Sequence, residues 1–146
     1  MNTNKKTGRI LEDVKINVKI KLSALWVSVM FLYVYGDMLG FMKPGGIEHY
    51  RRGIGATGAP MTQAALVQIA IAMAIPSVMV FLSLTLKPKV NRWANIVLGI
   101  AYTCFIPLSM LISTSVSTYY IFLGIVEVVL TALIVWYAWK WPKLEA

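Results

Sequence analysis

Between Tyr119 and Trp141 the chain runs YYIFLGIVEVVLTALIVWYAWKW, apolar throughout except for one carboxylate, Glu127, and one cation near its end, Lys140. Tyr119 and Tyr120 stand at one end, and Trp136, Tyr137, Trp139 and Trp141 at the other. At ~1.5 Å of rise per residue such a helix spans the ~30 Å hydrocarbon layer of a bilayer, and aromatic belts at both ends mark a segment that crosses it. In lipid every backbone N–H and C=O must be paired internally, which leaves only helices and closed barrels. A carboxylate within that layer costs roughly 2.5–3.5 kcal/mol on insertion scales, so Glu127 is expected to face protein. Offsets of three and four place Tyr120, Gly124, Glu127, Thr131 and Ala138 on one stripe of small and polar side chains, the face that packs on other helices.

Three further stretches have the same character. Residues 22–42 are interrupted only by Asp37, 61–86 carry Pro76 near the middle, and 93–113 carry Pro107; both prolines are expected to kink their helices. With 119–141 they predict an all-α integral membrane protein, a four-helix up-down bundle joined by short loops. Of the 146 residues 58% are hydrophobic and 14% charged, too apolar a balance for a soluble domain.

The net charge of +8 would suggest nucleic acid if it were spread over a folded surface. Instead Lys5, Lys6, Arg9, Lys15, Lys19 and Lys21 precede the first span, Lys87, Lys89 and Arg92 join the second to the third, and Lys140 and Lys143 follow the fourth. The loop between the first two spans holds Lys43, Arg51 and Arg52, and the last loop holds no cation. Eleven against three places both termini in the cytoplasm and makes the lipid bilayer, not nucleic acid, the partner.

Residues 1–21 read as a basic cytoplasmic or interfacial segment, 22–141 as the bundle and 142–146 as a short cytoplasmic tail. Val14, Ile16, Val18 and Ile20 alternate with polar residues, but a lone strand at a membrane has no pairing partner. The segment therefore either lies on anionic headgroups or is a solvated tail that sets orientation. The run 22–42 is too long for the apolar region of a signal peptide, and no small-x-small cleavage site follows it, so it reads as a retained span. Cys104 is the lone cysteine, which leaves no intrachain disulfide. Gly36 and Gly40 permit close helix approach, within the bundle or across a two-fold homodimer.

Depth assigns the candidate site. Counted from the expected span ends, Asp37 lies roughly 7–8 Å, Gln68 roughly 10 Å and Glu127 roughly 12 Å below the outer surface. All three fall near one level and on the small-residue face of their helices, which predicts a polar cavity opening outward. Two carboxylates at one level do not both stay charged in low dielectric: one holds a proton, or a cation neutralises the pair. The connecting loop, KPGG–IEHYRR–GATGAP, has room for about one and a half helical turns between its Gly/Pro ends. It is expected to carry Arg51 or Arg52, with His49 beside them, across the mouth to Asp37 or Glu127. The competing reading gives the arginines to lipid phosphates and leaves the acids to Tyr33, Tyr102 and Gln68 as polar contacts within the bundle. His49 has no second ligand nearby, and no phosphate loop, nucleophile elbow or haem-attachment pair occurs, so no metal and no cofactor is expected.

The string YGDMLGFMKPGGIEHYRRG, the glutamate of the last span and the ending WYAWKWP resemble a family of small four-span bacterial integral membrane proteins classed as a domain of unknown function. The resemblance covers nearly the whole chain after Lys21 and implies four helices and an inner-membrane home, with no assigned activity. A looser likeness is to four-helix membrane proteins of the sterol-isomerase-like group, which hold paired carboxylates in a ligand cavity. The leading motifs of that group are absent here, so the likeness is an analogy.

The function expected from these residues is binding of a lipophilic or cationic small molecule, or a lipid, in an outward-opening polar cavity. Three alternatives stand beside it: an intramembrane acid/base enzyme using Asp37 and Glu127, a proton-coupled exporter, and an accessory membrane subunit whose acids only hold the bundle together.

Overall fold

A computed structural model describes residues 14–55, 58–113 and 116–142. Its helices, in chain order, are α1 (Val18–Met42), α2 (Gly46–Arg51), α3 (Gln63–Thr85), α4 (Pro88–Ile112) and α5 (Thr118–Trp139). Among the described residues there is no strand, only an isolated bridge between Ile54 and Pro60. The four long helices are each long and apolar enough to cross a membrane. Below, the end of the bundle bearing α2 is the α2 end, and the opposite one, where α1 begins and α5 stops, is the terminal end.

Local chemistry moves two boundaries from their expected places. Asn17 caps the backbone N–H of Lys19 at 2.9 Å, so α1 starts before residue 22 and Lys19 and Lys21 are helical. Pro88 opens α4, because proline at the first helical position sacrifices no backbone bond. The stretch KPKVNR is therefore mostly helix, and Leu86 and Lys87 alone link α3 to α4. The short helix within the first loop forms as expected, between left-handed glycines at Gly45 (φ 74°) and Gly53 (φ 70°) that a side chain would strain. Expectations for residues 1–13, among them Lys5, Lys6 and Arg9, and for 143–146 lie outside the described residues.

The packing is an incomplete ring. α1 packs on α3 and α5, and α5 packs on α4, while α3 and α4 barely touch despite their tight link. This departs from a bundle in which every consecutive pair of spans is closely packed. Glycine explains the closest seam: a Cβ on Gly99 of α4 would lie 2.7 Å from a methyl of Val135 on α5. The core sits in the terminal half, where Leu22, Trp26, Val29, Met79, Ile96, Ile134 and Ala138 are buried. Phe31, Phe81, Val97, Phe122 and Val129 point outward and are exposed, the pattern of helices in apolar surroundings.

A buried amide network pins the terminal half. Trp26 Nε1 donates to Asn95 Oδ1 at 2.8 Å, Asn95 Nδ2 donates to Asn91 Oδ1 at 2.7 Å, and Asn91 Nδ2 donates to the Ser83 carbonyl at 2.6 Å. The network ties α1, α4 and α3 together and meets the demands of amides buried without water. At the rim, Lys19 Nζ donates to the carbonyls of Leu84 and Leu86, and Arg92 donates to those of Ala138 and Trp139. Each cation thus caps the carbonyl end of a neighbouring helix, α3 and α5 respectively.

Candidate functional site

The site begins with a proline. Pro76 has no N–H, so the carbonyl four residues earlier, that of Ala72, loses its helical donor. Tyr102 of α4 donates its hydroxyl to that carbonyl across the α3–α4 gap. On the other wall Gly124 lets α5 close on α4, since a Cβ there would collide with the methyl of Met110. Toward the α2 end from Tyr102 the helices enclose a cavity of about 180 Å³. That is comparable to the engineered cavity of about 150 Å³ that stays dry and takes up benzene.

Its walls are mainly apolar and aromatic. α1 contributes Tyr33, Gly36 and Asp37, α3 contributes Ile69, Ala72 and Met73, α4 contributes Tyr102, Phe105 and Met110, and α5 contributes Tyr120, Gly124 and Glu127. The stripe expected on α5 does turn inward: Gly124, Glu127, Thr131 and Ala138 are buried, with Ile134 beside them. Below Glu127, Thr131 donates to the Glu127 carbonyl at 3.0 Å and accepts from Thr103 at 2.8 Å.

Glu127 is 7% exposed, and its Oε1 has no hydrogen-bond partner; nor does the buried hydroxyl of Tyr33. The two groups are neighbours, and the Tyr102 hydroxyl is also close to the carboxyl. Neither Asp37 nor Glu127 is in an ion pair among the described residues, where both salt bridges belong to Glu48. Asp37 lines the same cavity but is exposed. It stands one helical turn from Tyr33 toward the α2 end, ~6 Å along the axis. One acid is deep and one is at the rim.

The structure separates the remaining expected residues from these. Gln68 is exposed and is not part of the lining; Ile69, Ala72 and Met73 of α3 face the cavity in its place. Arg51 and Arg52 do not reach Asp37 or Glu127. They are exposed and lie 3.6 and 3.4 Å from Glu48, their neighbour at three and four residues' distance on α2. His49 is half-buried on α2 and outside the lining. The residue that α2 does deliver is Tyr50, whose ring packs on Phe41 with centroids 4.6 Å apart. Its hydroxyl and that of Tyr119 converge over Gly40, where a Cβ would meet them at 3.4 and 3.6 Å. Burial, and then the nearby Asp37 carboxyl, raises the pKa of Tyr50, so its hydroxyl stays protonated.

Tyr120, Phe105, Met73 and Met110 are lining residues that sequence reasoning did not place in the site. Tyr120 carried a signal, as the head of the α5 stripe, and Met110 falls on the α4 face that Gly99 and Tyr102 mark, whereas α3, which holds Met73, is apolar on every side. Among the described residues no three His, Cys, Asp or Glu side chains converge. What the chamber offers chemically is aromatic faces, polarisable sulfur and one buried acceptor without a donor, a set suited to an organic cation. Residues 9–146 match the Family of unknown function (DUF6326), and the chain belongs to that family. No curated protein and no solved structure matches it.

Proposed function

We propose that this member of the family is a four-span protein of the bacterial inner membrane, with both termini cytoplasmic, that binds a lipophilic cation beside Glu127. The exposed apolar periphery and the distribution of lysine and arginine support the placement; the α2 end is then the outer one. The observation that carries the function is Glu127 itself, buried against aromatic walls with an oxygen that nothing satisfies. A buried acceptor left unpaired costs about 1–3 kcal/mol, and more when charged. A guest that brings an ammonium N–H recovers that cost and neutralises the carboxylate, while Tyr33, Tyr102, Tyr120 and Phe105 present ring surface to its charge and its apolar body.

The packed terminal half favours a binding site over a proton-coupled exporter. Exchange requires the acid to be reachable from both membrane faces, and Trp26, Val29 and Ile134 fill the space on the cytoplasmic side. A second reading has one observation in its favour: Asp37 and Glu127 line the same cavity, as an intramembrane acid/base enzyme would require. It predicts chemical change in the guest, where the first predicts none.

The test is equilibrium dialysis of the protein in lipid nanodiscs against benzylamine, whose size suits the chamber, with benzyl alcohol as the neutral comparison. Saturable binding of the amine, no binding of the alcohol, and loss of amine binding in Glu127→Gln are expected. Absence of amine binding, or binding unchanged in the variant, overturns the proposal. Recovery of altered benzylamine favours the enzyme.

A further inference from the structure

We infer that the cavity is entered from the side, between α3 and α4, and that its ligand is a single-chain amphiphilic amine with its head at Glu127 and its alkyl tail in the lipid. The inference rests on the reading of the chamber as a cation site and adds the shape of the cation. Three of the four seams between long helices are closely packed and the α3–α4 seam is not. Ile69 on one side of that seam and Phe105 on the other line the cavity, yet they are 41% and 55% exposed on the bundle's outer surface. Side chains that belong to both surfaces mark an opening. Its lower edge is the bridge from Tyr102 to the Ala72 carbonyl, below which the amide network holds the helices together.

Toward the α2 end the rim is polar, with Asp37 exposed at it. Beyond it Tyr50 packs on Phe41, and its hydroxyl and that of Tyr119 both lie beside Gly40. The slot lies between apolar helices within the span, so a chain passing through it exchanges lipid neighbours for Ile69, Met73 and Phe105 and never meets water. A chamber of about 180 Å³ holds an ammonium head and a few carbons; a longer tail must leave, and this slot is the apolar way out. Charge complementarity with Glu127 selects an amine over a bulk phospholipid chain or a second copy of the bundle, each of which would bring apolar surface and no cation to the acid.

A chain-length series tests this in nanodiscs holding the full protein. Butylamine, octylamine and dodecylamine compete with labelled benzylamine, with each concentration expressed as mole fraction in the bilayer so that partitioning cancels. If the tail leaves through the slot, affinity on this scale stays within about threefold along the series, because lipid tails and apolar side chains are equivalent surroundings. If the chamber is closed, affinity falls about tenfold or more once the chain exceeds what fits inside, the usual penalty of overpacking. That fall, with benzylamine still bound, overturns the side entrance and leaves the cation site standing. Absence of benzylamine binding overturns the cation site and the side entrance with it. Binding of dodecylamine that is unchanged in Glu127→Gln overturns the inference, since the slot then holds any chain as lipid. Failure of every amine overturns both readings.

Discussion

The hydroxyl of Tyr33 on α1 lies beside the carboxyl of Glu127 on α5, both are buried, and the contact between them falls short of a well-formed hydrogen bond. Two partners of this kind so close together would ordinarily pair. Here both polar groups border the chamber and each is incompletely satisfied.

Tyr33→Phe therefore removes a buried polar group without breaking a well-formed hydrogen bond. Thermal unfolding of the empty protein should be unchanged or raised, by up to about 1 kcal/mol. A loss of more than about 1 kcal/mol would show that the hydroxyl holds the bundle together.

Glu127→Gln should lower benzylamine affinity by about tenfold or more, the loss of a charge-assisted contact in a dry site. Stability should hold or rise, because the buried charge is replaced by a neutral group of the same shape. Parallel dialysis and thermal unfolding separate the two effects, and a variant that fails to fold would assign Glu127 to structure.

The contact between Tyr102 and the Ala72 carbonyl exists because Pro76 cannot donate. Tyr102→Phe should cost about 1 kcal/mol in the native background. In Pro76→Ala, where residue 76 regains an N–H for that carbonyl, the same change should cost clearly less. Unfolding in mixed micelles gives the double-mutant cycle, with a coupling of about 0.5–1.5 kcal/mol expected; additivity would disprove the proline link.

Asn95→Leu strands the Trp26 indole N–H and a side-chain oxygen of Asn91, both of which Asn95 satisfies. A destabilisation of about 1–3 kcal/mol is expected in the same unfolding experiment. A neutral outcome would mean that water or rearranged partners reach the network.

Gly124→Val puts side-chain atoms where Met110 and Ile106 already sit. Destabilisation of about 1–3 kcal/mol from overpacking is expected, together with reduced benzylamine binding as the chamber narrows. Binding at native strength would place the guest elsewhere.

Four helices, their order and the inward face of α5 were all legible in the residues, since long apolar runs and a stripe of Gly, Glu, Thr and Ala have no other comfortable arrangement in lipid. The orientation of Gln68 was not. α3 is apolar on every side, so a single amide carries no directional information, and packing on α1 turned Ile69 and Met73 inward instead. Asn91 was hidden by its basic neighbours, which read as a loop until Pro88 is recognised as a helix start. The pairing of Arg51 and Arg52 was available from spacing alone, because Glu48 stands three and four residues before them on a short helix. The Ala72 carbonyl was half legible: a proline at 76 identifies the orphaned group, but only the tertiary fold reveals that Tyr102 serves it.

Joined at Leu86 and Lys87 and clasped by Ser83, Asn91 and Asn95, α3 and α4 have the shape of a pair of tongs, one arm resting on α1 and the other on α5. From Asn91 it is ~16 Å along the helix to Tyr102 and ~32 Å to Ile112. A spread opened at the tyrosine is therefore about doubled at the tips. A guest that parted the two helices at the tyrosine would therefore displace their ends beside α2 further than the chamber itself, with a pair of asparagines as the fulcrum.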